Sequence, residues 1–153
     1  CHFIDFLTWL TDSLPVQVHA FAPPEKNRYR EDNVVMVLRF EDGSIGTVSY
    51  LASGDKAYPK ERVEVFGGGR IAVLDDYRAL ELVSGGRRRV HRTRLRQDKG
   101  FAGEWRAFVS AIQAGGAPPI PYAQIDAVHR ASFGAVESLR SGKPVEIKSR
   151  KMD

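Results

Sequence analysis

His2 and Asp5 stand three residues apart in CHFIDFLTWL, the opening stretch of a 153-residue chain. On a helix that spacing makes them surface neighbours. An imidazole in a first helical turn meets the positive end of the helix dipole, which favours the neutral ring that a general base requires. A purely structural histidine competes with this reading, and periodicity alone does not decide between the two.

The other groups that can do chemistry are dispersed. His19, His91 and His129 fall on separate expected elements, with no HExxH pattern and no cluster around Cys1, the only cysteine, so no metal site is expected. Gly67-Gly68-Gly69 follows a strand-like run and invites a phosphate cradle, but the spacing fits neither dinucleotide nor P-loop patterns. The next segment, RIAVLDD, reads as a strand, so the glycines read as a hairpin turn. The run GGRRRVHRTRLRQDK carries Arg87, Arg88, Arg89, Arg92, Arg94 and Arg96. Such a strand can track phosphates, yet it has no interleaved aromatic side chains to stack on bases. Arginines on an edge strand also block edge-to-edge pairing, so nucleic acid is disfavoured against a partner domain or an anionic substrate.

These groups must be positioned by ordinary globular elements. Hydrophobic residues make up 42% of the chain and charged residues 27%, with a net charge of +4, and the length suits one domain, residues 1–153. One cysteine allows no intrachain disulfide, which makes the cytoplasm the default compartment. No apolar run reaches the roughly 18–20 residues that cross a bilayer, and no basic leader opens the chain.

Phe3, Phe6, Leu7 and Leu10 recur at helical spacing and define the apolar face of an opening helix. That helix begins with no room for an N-cap, so the chain is expected to be cut from something longer. PVQVHAFAP alternates as a strand, EKNRYRED reads as a loop, and NVVMVLRFEDGSIGTVSYLAS reads as a hairpin turning at Asp42-Gly43. ERVEVFGGGRIAVLDD, RALELVSGG and RRRVHRTRL extend the pattern, so residues 34–95 read as a meander of about six strands in one antiparallel sheet. Two helices follow. In the first, Trp105, Phe108, Val109 and Ile112 share a face that ends at Gly115-Gly116; in the second, Ile125, Val128, Ser132, Val136 and Leu139 do so, with Ala131 and Ala135 beside them. A short strand, VEI, closes the chain. The expected fold is α+β, a two-layer sandwich with a largely antiparallel open sheet and helices packed on one face.

Read end to end, the chain resembles the C-terminal domain of the Gfo/Idh/MocA oxidoreductases, the family of glucose-fructose oxidoreductase and inositol 2-dehydrogenase. The resemblance rests on an ordered set: CHFIDFLTWL, VLRFEDGSIGTVSY, KERVEVFGGGRIAVLDD, QDKGFAGEWRAFVSAI and SLRSGKPVEI. It implies a two-domain enzyme whose N-terminal Rossmann domain, absent from this chain, binds NAD or NADP. This domain would then supply the wall of a site for a small sugar-like substrate and, through its open sheet face, the contact of a homo-oligomer. The resemblance places a catalytic histidine at His2, active in proton transfer to or from a substrate hydroxyl, and makes Asp5 a possible orienter of its ring. Lys56 and Lys60, in the loop SGDKAYPKER, are candidates to contact substrate hydroxyls or phosphates. No residue of this chain is expected to bind the cofactor, and the isolated chain is expected to lack dehydrogenase activity. The alternative is a stand-alone, self-associating binding module whose basic strand meets an anionic partner.

Overall fold

The computed structural model describes residues 1–24, 32–93, 97 and 99–148. The loop expected at EKNRYRED falls outside the described residues except for Asp32, as do Arg94 and Arg96 of the basic run. Contacts divide the chain into two compact units, residues 1–53 with 115–153, and residues 54–114.

The first unit holds α1 (His2–Thr11), β1 (Pro15–Phe21), β2 (Asn33–Phe40), β3 (Ile45–Leu51), α3 (Tyr122–Ser141) and β8 (Val145–Glu146). Its four strands form an antiparallel sheet in the order β3-β2-β1-β8. Alternation sends Val18, Ala20, Val34, Leu38, Phe40 and Val48 to one face, where they are buried with Ile4 of α1 and with Val128, Ala131 and Ala135 of α3. Both helices lie on that face, and the other is open. The expected architecture of helices on one side of an open antiparallel sheet is present here.

Two helical faces differ from the sequence reading. On α1 the buried residues are Ile4 and Thr8, with Leu7 packed against the core, whereas Phe3 and Leu10 are exposed. Thr8 is admitted because its hydroxyl donates to the Ile4 carbonyl at 2.8 Å, which satisfies its polar group within the helix. On α3 the buried stripe is Ala127, Val128, Ala131, Gly134, Ala135 and Ser138, and Ile125 is exposed. Small side chains let this helix approach the sheet closely. A methyl at Gly134 would lie 3.1 Å from Val18 Cγ1.

The turn between β2 and β3 is held by Asp42, whose carboxylate accepts from the Ser44 amide at 3.0 Å and the Ser44 hydroxyl at 2.7 Å. Those bonds keep the Asp42 carboxyl below its ordinary range. Gly43, at φ +88°, supplies the left-handed position that the turn needs.

The second unit holds β4 (Arg62–Gly67), β5 (Arg70–Asp75), β6 (Ala79–Ser84), β7 (Arg87–Arg92) and α2 (Phe101–Ala114). Its strands form a separate antiparallel sheet, β4-β5-β6-β7. The six strands expected between 34 and 95 are therefore present, but they are shared between two sheets. β1 and β8 complete the first sheet, and among the described residues β4–β7 pair only among themselves. Gly68-Gly69 forms the two-residue turn between β4 and β5 with both φ positive, the geometry of a hairpin and not of a phosphate cradle. On this sheet Arg62 pairs with Glu64 and Arg88 with Glu81, which lowers the Glu81 carboxyl. Helix α2 ends at Gly115 as expected, but Trp105, Phe108, Val109 and Ile112 are all exposed and the helix has no buried residue.

Candidate active site

His2 is the first residue of α1, and its ring is exposed. Cys1 occupies the cap position with no side-chain cap bond; its carbonyl accepts from the Asp5 amide at 2.9 Å and closes the first turn. The Cys1 Sγ lies 4.0 Å from His2 Nδ1. The imidazole thus stands at the helix terminus with an open side toward solvent.

Asp5 is held from elsewhere. Its Oδ1 accepts from Gln124 Nε2 of α3 at 3.0 Å, and among the described residues no hydrogen bond joins Asp5 to His2. The carboxylate therefore ties the first turn of α1 to the first turns of α3 and fixes the backbone that presents His2. Gln124 is a supporting residue that sequence reasoning missed. It lies 119 positions away from Asp5, and no local pattern announces the pairing.

Lys56 and Lys60 are exposed in the segment between β3 and β4. That segment is shaped by Asp55, whose carboxylate accepts from the Ala57 amide at 2.8 Å, an Asx turn. His2 and Asp5 share one helical turn of the first unit, whereas both lysines belong to the second. Among the described residues no three His, Cys, Asp or Glu side chains group to hold a metal. No helix among them is long and apolar enough to cross a membrane.

Residues 1–71 match the family model of the GFO/IDH/MocA C-terminal domain. Over those residues the chain is similar to that domain. The match takes in α1, the β2–β3 hairpin and β4, and so includes His2, Asp5, Lys56 and Lys60.

Solved oxidoreductases share the fold of this chain. The aldose-aldose oxidoreductase of Caulobacter crescentus, solved with glycerol, is 19% identical and superposes with a TM-score of 0.75 over 95% of this chain and 45% of its own. The UDP-N-acetylglucosamine 3-dehydrogenase of Acidithiobacillus ferrooxidans is 20% identical with a TM-score of 0.73, over 92% and 45%. A levoglucosan dehydrogenase, solved with NADH and L-sorbose, is 20% identical with a TM-score of 0.78, over 97% and 48%. The chain thus spans less than half the length of each of these proteins. No curated protein sequence matches it.

Proposed function

We propose that this chain is the substrate-side and assembly domain of an NAD(P)-dependent oxidoreductase that acts on a hydroxyl or carbonyl of a sugar or cyclitol. The observation that carries the proposal is the exposed imidazole of His2 at the head of α1, inside the segment that matches the family. The nicotinamide, bound by a separate Rossmann domain, supplies the hydride acceptor or donor. The part of this chain is the proton: in oxidation His2 takes the O–H proton from the substrate as the carbinol hydride leaves, and in reduction it returns one to the nascent alkoxide.

The Asp5–Gln124 bond holds the helix end so that this transfer occurs at a fixed place. Lys56 and Lys60 offer ammonium donors to substrate hydroxyls or phosphates. Three solved proteins of the same fold are named for sugar or sugar-derivative chemistry, and one of them holds NADH. Two copies associate through the open face of the first sheet, which no helix of its own unit covers.

The test uses a protein that joins this chain to its nucleotide domain. Replacing His2 with Ala is expected to lower kcat by roughly 10²–10⁴-fold, the usual contribution of a general acid–base group, and to change KM much less. An unchanged kcat would remove His2 from the mechanism.

A further inference from the structure

The register of the second sheet sorts its charges by face. Opposed residues of paired strands point the same way, so Gly67, Arg70, Ser84 and Arg87 form one row on one face. The next row on that face is Val65, Ala72, Leu82 and Arg89. Glu64, Asp75 and Glu81 all lie on the opposite face, together with Arg62, Arg88 and Arg92. Cations and anions balance there, and the pairs Arg62–Glu64 and Arg88–Glu81 are formed. The first face holds Arg70, Arg87 and Arg89, and none of the four strands places a carboxylate on it.

These three arginines are exposed, and among the described residues none belongs to an ion pair. They crowd one end of the sheet. Arg70 and Arg87 flank Ser84, two strand spacings or about 10 Å apart, and Arg89 lies two residues from Arg87, about 7 Å along β7. That end is bounded by the turns Gly68-Gly69 and Gly85-Gly86, whose residues carry no side chains to cover the arginines.

The donor set selects the ligand. Each guanidinium is a planar fork of N–H donors that matches phosphate oxygens, and three forks stand within reach of one another. A lone carboxylate has too little charge and too few oxygens to engage all three, whereas two linked phosphates have enough of both. A nucleic-acid duplex is gripped along a longer track of phosphates, and here the alternate arginines of β7, Arg88 and Arg92, face the other way among carboxylates. Beside Arg89 the exposed Leu82 and Val65 offer apolar surface to an organic group.

We propose that this face of the second sheet binds a small diphosphate ester, its phosphates held by Arg70, Arg87 and Arg89 and its organic part laid on Leu82 and Val65. The Ser84 hydroxyl, between two of the arginines, donates to the same phosphates. Arg70 lies outside the basic run of the sequence and joins the site only because β5 pairs with β6. The proposal goes beyond the proton-transfer reading and does not rest on it.

Isothermal titration calorimetry of the 153-residue chain with inorganic pyrophosphate, orthophosphate and ADP tests this site. Pyrophosphate is expected to bind one to one and at least about tenfold more tightly than orthophosphate, with ADP at least as tight as pyrophosphate. R70A, R87A and R89A are each expected to weaken pyrophosphate at least about fivefold. R92A removes the same charge from the same strand but from the balanced face, and is expected to change binding less than about twofold. All four side chains are exposed, so each variant is expected to melt with the parent. Absence of pyrophosphate and ADP binding, or orthophosphate bound as tightly as pyrophosphate, would overturn the proposal. So would a loss from R92A as large as that from R87A, which would mean diffuse attraction to a basic strand.

Discussion

Gly46 sets how closely α1 can lie on β3. A methyl built there would sit 2.7 Å from Leu7 Cδ1, closer than such carbons approach, and 3.2 Å from Phe40 Cε2, a tight contact. Because Leu7 is the α1 side chain that meets this spot, replacing Gly46 with Ala must shift either that side chain or the helix that carries His2. We expect G46A to cost about 1–3 kcal/mol, the usual range for overpacking, and to lower the melting temperature by several degrees, whereas G116A, with open space around its Cβ, changes it little. Calorimetry of the two variants checks this; equal melting temperatures would mean that α1 is not seated on Gly46. At this scale the sequence was informative where chemistry is local. His2 at the head of a helix and the Asp42-Gly43 turn were readable from spacing and residue type. The hold of Gln124 on Asp5 was not, since a contact between residues 119 positions apart leaves no trace in either local pattern.

Elements were legible in kind and less so in orientation. Strand alternation in PVQVHAF correctly separates Val18 and Ala20 from Gln17, His19 and Phe21, because the strand period of two is unambiguous. The helices misled because periodicity weighs large apolar side chains, and the close packing of α3 uses small ones. Ser138 shows the cost of that preference. It is fully buried in the α3 stripe, accepts from the Ala20 amide of β1 at 3.0 Å and donates to the Lys143 carbonyl at 2.7 Å. It therefore ties helix, strand and the turn into β8 together. S138A would leave an amide and a carbonyl without partners, and we expect it to destabilise by about 1–3 kcal/mol in chemical denaturation with an unchanged m-value. A cost below a few tenths of a kcal/mol would show that water replaces both bonds.

For the whole molecule, the sequence reading found the strands and joined them wrongly. Six strands in a row suggest one meander, since neighbours in sequence usually pair. Here β1, from the start of the chain, and β8, from its end, complete the first sheet, and nothing local to β2 and β3 announces those partners. That arrangement brings the head of α1 beside α3 on one side of the first sheet and leaves Arg39, Gln17 and Glu146 on the other. Under the proposed function, the proton-transfer half of a two-domain oxidoreductase lies here and a separate domain binds the nucleotide. The most direct measurement is the sequence of the intact reading frame on the 5′ side of the Cys1 codon. The account predicts a strand, a glycine-rich turn and a helix of a Rossmann domain, followed by a Lys-Pro segment before Cys1. A start codon within a few residues of Cys1 would contradict it, ending the proton-transfer role of His2 and leaving a self-associating binding module in its place.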